Sequence, residues 1–381
     1  SFIDCITKQK TQFSLKLIFC INQPEEWYDN SEKRFICDNN HKTADFLRSI
    51  KNLDIHIIDK YSKHNGWTGK QEGVGWGRKL AMDYANNLAD KEDFIFSLDV
   101  DTFYPDNYFE ETANNLINNP KALGAAIPYY HPLPTDKNAA RAILRYEIYM
   151  RYYALNLLII KSPYKFSALG SAIALPVWAY RKVGGITPKK SGEDFYFIQK
   201  LIKSGEVLLT NPVKAYPTAR FSDRVFFGTG PAMIKGDSGD WSSYPIYHPL
   251  LFNNIKKLYN EFSAMYSDEL SDEMRNEFSA YFDESTINKI RQNSSTEKQF
   301  IRQCHVKFDG LRILQYLKNR QNSINDSNER ILKHFFENFF YKESVDYKNI
   351  LDNLNFDKSS ISDLDKIRDL LCDLEEKLKT L

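Results

Sequence analysis

The segment FIFSLDVDTFYPDNYF (94–109) places two aspartates, Asp99 and Asp101, directly after an apolar run. Two carboxylates this close repel each other unless something positive lies between them. Mg²⁺ and Mn²⁺ prefer carboxylate oxygens, and they keep water or ligand phosphates in their remaining coordination positions. The pair is therefore a candidate site for a divalent metal that also holds a diphosphate.

Two other interpretations of this aspartate pair involve no diphosphate. One is an acidic turn before a helix whose first turn holds Pro105 and Asp106, since proline and carboxylates suit that end of a helix. The other is an EF-hand with Glu110 as its twelfth residue, which is excluded because Phe103 and Tyr104 stand where an oxygen ligand and a glycine are needed. From the pair alone, the metal site and the acidic turn are equally supported.

A second acidic pair, Glu193 and Asp194, opens a predicted helix in KKSGEDFYFIQKLIKSG (189–205). A carboxylate at this end of a helix can accept the proton of a substrate hydroxyl that lies within hydrogen-bond reach. Ser191 and Asp194 also have the spacing of a capping box. Taken by itself, this segment favours the capping box.

Cationic side chains beside glycines form two candidate phosphate-binding segments. In GWTGKQEGVGWGRKLAMDYA (66–85), three glycines precede a helix that opens with Arg78 and Lys79, although the spacing matches neither a Walker A motif nor a dinucleotide fingerprint. In ARFSDRVFFGTGPAM (219–233), Arg220 and Arg224 precede a glycine-rich loop, and we take Arg224 as a candidate substrate-binding residue. The alternatives are flexible-loop glycines and surface salt bridges.

The seven histidines form no HxH or HxxxH cluster of the kind that binds a metal. His131 and His248 are therefore the only candidates for a third metal ligand, and a structural role is the alternative for each of them.

The candidate residues follow strands of an α/β pattern. LKLIFCI (15–21), LDIHIID (53–59) and DFIFSLD (93–99) have the length and the β-branched and aromatic content of strands, and helical periodicity lies between them. This alternation predicts parallel strands with helices on the faces of the sheet. Because ligands bind at the carboxyl ends of such strands, Asp59 should face the same crevice as the pair that ends the third strand.

The distribution of glycine and proline predicts two domains. All 14 prolines and 15 of the 16 glycines lie before residue 250, and Gly310 is the exception. After that residue, segments such as ERILKHFFENFFYKE (329–343) have helical periodicity. We expect an α/β domain over residues 1–250 and an all-helical region over 251–381. The helices could serve dimerisation, acceptor recruitment or peripheral membrane contact.

Composition narrows the class of protein. The 51 basic and 50 acidic side chains nearly cancel, which argues against nucleic acid as a partner. The five cysteines are scattered without zinc spacing, as expected for free thiols in a reducing compartment. The longest apolar segment, 148–160, is too short to cross a bilayer. We expect a soluble, cytoplasmic protein without a transmembrane segment.

The order of these features resembles glycosyltransferase family 2, whose nucleotide-sugar-binding fold is called GT-A. SALGSAIALPVWAYRKVGGI (167–186) followed by GEDFYF is similar to the acceptor-side segment of that family, in which a Gly-Gly turn precedes the acidic pair. The resemblance covers about residues 14–235. It implies a mostly parallel central sheet flanked by helices, to which the all-helical C-terminal extension is added.

The resemblance also implies roles on the donor side of a sugar transfer. Asp101, helped by Asp99, would hold Mn²⁺ or Mg²⁺ on the diphosphate of a nucleotide-sugar donor. Asp59 would contact the base or the ribose, and Arg78 would lie near the nucleotide.

On the acceptor side, Asp194 would be the general base for a hydroxyl group and Glu193 would contact the acceptor, which is a glycan, a lipid-linked molecule or another hydroxyl compound. The implied reaction inverts the anomeric carbon in one in-line attack.

Three departures from the family pattern bear on these expectations. The first strand ends in INQPEEW, the second ends in DKYSK, and no Q-x-x-R-W motif follows the acidic pair. The last of these favours transfer of a single sugar over processive synthesis. The alternatives are a nucleotidyltransferase on a similar sheet and a catalytically silent carbohydrate-binding or scaffold protein.

Overall fold

The computed structural model describes residues 2–69, 71–223 and 228–380. The chain forms two compact units, and each is made of two segments. The first unit is Ser1–Ile143 with Ser167–Asp240, and the second is Leu144–Phe166 with Trp241–Leu381. Residues 144–166 and 241–250 thus belong with the C-terminal helices, although the sequence analysis assigned them to the first domain.

Most residues of Leu144–Phe166 are apolar or aromatic and buried, which explains why the segment belongs to the helical unit. The Tyr152 ring lies 4.7 Å from that of Phe335, and the Tyr152 hydroxyl donates to the Tyr247 carbonyl over 2.6 Å. Tyr164 donates to the carbonyl of His305 over 2.9 Å.

The strands found among the described residues all lie in the first unit. They are β1 (Lys16–Asn22), β2 (Asp54–Lys60), β3 (Phe94–Ser97), β4 (Thr102–Phe103), β5 (Ala125–Ala126), β6 (Ile173–Pro176) and β7 (Tyr216–Pro217). The helices that begin in this unit are α1 (Phe2–Thr7), α2 (Arg34–Ser49), α3 (Val74–Leu88), α4 (Tyr108–Asn118), α5 (Lys137–Ile159), α6 (Val177–Lys182), α7 (Glu193–Ser204) and α8 (Thr229–Asp237), and a 3-10 turn spans Glu25–Tyr28.

The strand pairing is mixed. β1 and β2 are parallel, whereas β6 lies between β3 and β5 and is antiparallel to both, and β4 pairs with β7 antiparallel. The predictions of an α/β unit and of its first three strands are confirmed. The ladders differ from a mostly parallel central sheet, because β6 runs in the opposite direction to β3 and inserts beside it.

Aromatic packing fixes the turn that follows β3. Tyr104, Tyr108 and Phe109 are each at most 3% exposed, and Phe96 of β3 lies 5.0 Å from Phe109, ring to ring. Since α4 begins at Tyr108, this packing holds the chain on both sides of residues 98–103.

The second unit is built from helices. After the end of α5 they are α9 (Pro249–Glu261), α10 (Asp272–Phe278), α11 (Glu284–Gln292), α12 (Glu297–Lys307), α13 (Gly310–Gln321), α14 (Asn328–Phe339), α15 (Lys348–Asp352) and α16 (Ile361–Lys379), with 3-10 turns at Ala264–Tyr266 and Val345–Tyr347. Across the described part of the chain, none of the helices has the length and apolar character needed to span a bilayer.

Buried charges join α5 to α16 within this unit. Glu147 accepts from Arg151 over 3.1 Å and from Arg368 over 3.0 Å, and Arg151 also donates to Glu375 over 3.1 Å. All four residues are at most 4% exposed. Each buried charge in this set therefore has an oppositely charged partner, as buried ions require.

A glycine of α3 lets two segments of the first unit approach closely. A Cβ at Gly75 would lie 2.0 Å from the carbonyl oxygen of Lys189 and 2.6 Å from its amide nitrogen, so no larger residue fits there. Lys190 pairs with Glu72 over 2.7 Å at the same junction. Gly75 thus lies within α3, and not before the helix as predicted, and it serves close packing against the residues that precede α7.

We expect Gly75→Ala to destabilise the protein by about 2–3 kcal/mol, because the added methyl group meets backbone atoms that cannot rotate away. Gly77→Ala is the matched control in the same helix, since the nearest atom to its added Cβ lies at 3.1 Å and belongs to the Asn22 side chain and not to the backbone. Urea unfolding followed by circular dichroism measures both changes. Equal stabilities of the two variants would contradict the close-packing role.

Candidate active site

The side chain of Arg78 is the centre of the candidate site. Its Nε donates to Glu193 over 3.1 Å and its Nη2 donates to Asp99 over 3.0 Å. Its Nη1 donates to the Gly170 carbonyl over 2.8 Å and also to the Ser97 hydroxyl. Four of the five N–H groups of this guanidinium are therefore used by acceptors inside the unit, and the side chain is only 9% exposed.

Glycines shape the backbone on two sides of Arg78. A Cβ at Gly170 would lie 2.5 Å from Nη2 of Arg78, so this loop can reach the guanidinium only without a side chain. Gly192 has a φ of 73° and is the N-cap of α7, a left-handed conformation that glycine adopts without strain. The turn at Gly192 brings Glu193 directly to Arg78.

The structure places the N-cap of α7 at Gly192, one residue after the Ser191 of the predicted capping box. Asp194 is the second residue of α7, and its Oδ1 accepts from the amide of Phe195 over 2.7 Å. The residue as a whole is partly exposed.

Tyr104 supports the turn that carries Asp99, and sequence reasoning missed this role. Its hydroxyl accepts from the Asp99 amide over 3.0 Å and donates to the Ser171 carbonyl over 3.1 Å. Cys5 in turn donates from Sγ to the Tyr104 carbonyl over 2.8 Å. No motif marks these partners, since they lie 67 and 99 residues from Tyr104 in the chain.

The cluster around Arg78 has more negative than positive side chains. Burial alone would lower the pKa of Arg78, but the charges of Asp99, Glu193 and Asp194 outweigh it and raise that pKa. Burial raises the pKa of Glu193 and of Asp194 above their ordinary values, although Arg78 acts in the opposite direction on both. Three carboxylates thus surround one guanidinium, and Asp194 binds a proton more tightly than an ordinary aspartate.

Asp101 lies on the same turn and has a separate cationic partner. Its carboxylate forms an ion pair with Arg220, and the two side chains are 29% and 45% exposed. The backbone carbonyl of Asp101 accepts from the Thr218 amide over 3.0 Å. The turn therefore has one carboxylate held by a buried arginine and another paired with an exposed one.

The carboxylate of Asp59 accepts hydrogen bonds from its own loop. Its Oδ1 accepts from the amides of Tyr61 over 3.1 Å and Ser62 over 2.9 Å, and its Oδ2 accepts from the Ser62 hydroxyl over 2.5 Å and from Asn65 over 3.2 Å. Burial would raise the pKa of Asp59, but these hydrogen bonds outweigh it and lower the pKa. The hydrogen bonds of this carboxylate stabilise the loop over residues 59–65.

The candidate third metal ligands lie in different units of the chain, His131 in the first and His248 in the second. His131 is 1% exposed, and Nδ1 of His248 accepts from the Leu250 amide over 3.2 Å at the start of α9. Among the described residues, no three histidine, cysteine, aspartate or glutamate side chains form a metal-binding group. Arg224, the remaining predicted site residue, lies outside the described residues.

Asp99 and Asp101 nevertheless suit a divalent cation by their chemistry. Both are carboxylates on one turn, both are partly exposed, and each is paired with a guanidinium, which shows that this turn attracts positive charge. Oxygen-preferring ions such as Mg²⁺ and Mn²⁺ need only one or two protein carboxylates when phosphate and water complete their coordination.

Comparisons of the chain with protein-family models, with curated proteins and with solved structures found no match. The function is therefore inferred from the residues of the site and their geometry.

We expect Arg78→Met to destabilise the protein by about 3–5 kcal/mol at neutral pH, because it leaves the carboxylates of Asp99, Glu193 and Asp194 without their buried cation. The loss of stability caused by Arg78→Met should be smaller near pH 5. Because the folded-state pKa of Glu193 and of Asp194 is raised, protonation of these groups stabilises the folded protein. This contribution is complete below the pKa of the unfolded state and is lost as pH rises through the pKa of the folded state.

Unfolding by urea at several pH values measures this effect. Arg34→Met is the control, since Arg34 forms an exposed pair with Asp38. A loss for Arg78→Met that does not change with pH would contradict the proposed charge imbalance.

Proposed function

We propose that the protein is a metal-dependent, inverting glycosyltransferase that moves one sugar from a nucleotide-sugar donor to an acceptor hydroxyl. The observation that carries this proposal is the shared contact of Arg78 with Asp99 and Glu193. It joins the turn after β3, which has the chemistry to hold a leaving diphosphate, to the start of α7, which has a carboxylate with raised proton affinity. A GT-A-like fold is part of this proposal.

On the donor side, Asp99 and Asp101 would hold Mn²⁺ or Mg²⁺. When bound, the ion supplies positive charge that stabilises the departing nucleoside diphosphate. The chain's own contribution is a turn fixed by Tyr104 and by Arg78, so the carboxylates do not need to reorganise when a ligand binds. Since the hydrogen bonds of Arg78 are used inside the cluster, its role is to position Asp99 and Glu193.

On the acceptor side, Asp194 would accept the proton of the attacking hydroxyl group. The acceptor oxygen then forms a bond to the anomeric carbon, and the bond from that carbon to the diphosphate oxygen breaks with its electron pair on the leaving group. Burial raises the pKa of Asp194, which makes it a stronger base for this proton transfer. Glu193 is 4% exposed and hydrogen-bonded to Arg78, so we assign it to positioning.

We expect Asp101→Ala to abolish the Mn²⁺-dependent binding of UDP, GDP and dTDP, because one of the two metal-binding carboxylates is lost. Isothermal titration with and without Mn²⁺ measures this binding. Asp106→Ala is the control, since Asp106 also pairs with a surface cation, Lys10, but lies outside the turn. Unchanged binding by Asp101→Ala would remove Asp101 from the metal site.

Asp194→Asn should retain the Mn²⁺-dependent binding of donor diphosphates and lose transfer by about 10²–10⁴-fold, the usual contribution of a general base. The measurement is release of nucleoside diphosphate from UDP-, GDP- and dTDP-sugars in the presence of hydroxyl acceptors. Asp272→Asn, which removes an exposed carboxylate from the first turn of α10, is the control. Intact transfer by Asp194→Asn would overturn the assignment of the base.

A parallel assay with nucleoside triphosphates and sugar phosphates as substrates separates the proposed activity from nucleotidyl transfer. A glycosyltransferase releases nucleoside diphosphate from a nucleotide sugar, whereas a nucleotidyltransferase releases pyrophosphate from a nucleoside triphosphate and a sugar phosphate. Release of pyrophosphate alone would favour the second activity, and Asp194→Asn should then have little effect on it.

A further inference from the structure

Among the described residues, Arg78 and Arg220 neutralise the Asp99–Asp101 turn, and they differ in how firmly they are held. Arg78 is 9% exposed and has acceptors for four of its N–H groups. Arg220 is 45% exposed, and its partner Asp101 is 29% exposed. A buried guanidinium cannot give up its acceptors without a large cost, whereas an exposed ion pair contributes little to stability. Arg220 is therefore the arginine that can leave its carboxylate partner.

The backbone keeps Arg220 close to the turn whether or not its ion pair is formed. Strand β4 pairs with β7, so that Thr102 lies opposite Pro217, and the Thr218 amide donates to the Asp101 carbonyl over 3.0 Å. These main-chain contacts end two residues before Arg220. Its side chain can consequently change partners without a movement of the strands.

We propose that Arg220 exchanges partners during donor binding: it neutralises Asp101 in the ligand-free protein and binds the donor diphosphate once a divalent cation occupies Asp101. This inference rests on the proposed function. A guanidinium presents parallel N–H donors that match two phosphate oxygens. The cation brings two positive charges to Asp101 and the diphosphate brings negative charge beside it, so the released arginine gains a partner of opposite sign.

The exchange gives Arg220 opposite effects on two kinds of binding. In the absence of a diphosphate, Arg220 competes with a metal ion for Asp101 and weakens metal binding. In the presence of a diphosphate, it adds a charge-assisted hydrogen bond and strengthens the binding of metal and nucleotide together. A salt bridge that only stabilises the fold also competes with a metal ion for Asp101, but it does not strengthen the joint binding of metal and nucleotide, so the second effect identifies the exchange.

Arg220→Gln tests the exchange, because it removes the charge from an exposed side chain. The binding of Mn²⁺ is measured by the loss of the free-ion signal in electron paramagnetic resonance, first alone and then with UDP, GDP or dTDP. We expect the affinity for Mn²⁺ alone to rise by up to about fivefold. With a nucleoside diphosphate that the wild type binds, we expect the affinity to fall by about tenfold or more.

Two further variants serve as references. Arg220→Lys keeps the charge and should retain most of the diphosphate effect, although it loses the paired geometry of a guanidinium. Arg34→Gln removes an arginine from an exposed pair with Asp38, whose side chains are 55% and 58% exposed, and should change neither affinity. Thermal unfolding confirms that each variant is folded.

The outcomes distinguish this inference from the proposed function. Arg220→Gln that binds Mn²⁺ and diphosphates like the wild type overturns the exchange and leaves the glycosyltransferase proposal standing. Weaker binding of Mn²⁺ alone also overturns it, because Arg220 would then support Asp101 and not compete for it. A wild-type protein that binds none of the three diphosphates with Mn²⁺ overturns both.

Discussion

The buried guanidinium of Arg78 is the interaction on which the candidate site depends. A cation that is 9% exposed has lost most of its hydration, and only surrounding acceptors can offset that loss. Its acceptors include Asp99, Gly170 and Glu193, which lie 21, 92 and 115 residues away in the chain. One residue of α3 thus determines where three distant segments meet, and Gly75 in the same helix permits the close contact that this meeting requires.

The sequence was sufficient to predict the first three strands and the acidic pairs, because both depend on local features. Apolar runs of strand length identify β1, β2 and β3, and the aspartates after β3 follow from their spacing. The close contact of Gly75 with Lys189 could not be predicted in this way, since its signal is a 2.0 Å approach between separate segments. The strand pairing differs from the predicted parallel order for the same reason, because β6 pairs with β3 from 79 residues further along the chain.

The support given by Tyr104 illustrates the same limit. In the sequence, Tyr104 serves only to exclude an EF-hand, because it stands where that loop needs a glycine. In the folded unit it is 1% exposed and joins the Asp99 amide to the Ser171 carbonyl. No periodicity or motif in the sequence predicts that a tyrosine will join two distant backbone groups. The position of Tyr104 is defined only by the packing of the turn against Cys5 and α4.

Two sets of buried carboxylates in this chain have opposite electrostatic character. In the helical unit, burial would raise the pKa of Glu375, but Lys379 and Arg151 outweigh it and the pKa is lowered. Around Arg78 the balance is reversed, since burial and mutual repulsion leave Glu193 and Asp194 with raised pKa. A buried charge that serves stability is normally neutralised by its partners. Burial also raises the pKa of the partly exposed Asp365 beside Arg368 in the helical unit, so a raised pKa alone does not identify a site of chemistry. What separates Glu193 and Asp194 from Asp365 is the contact of Arg78 with both acidic segments.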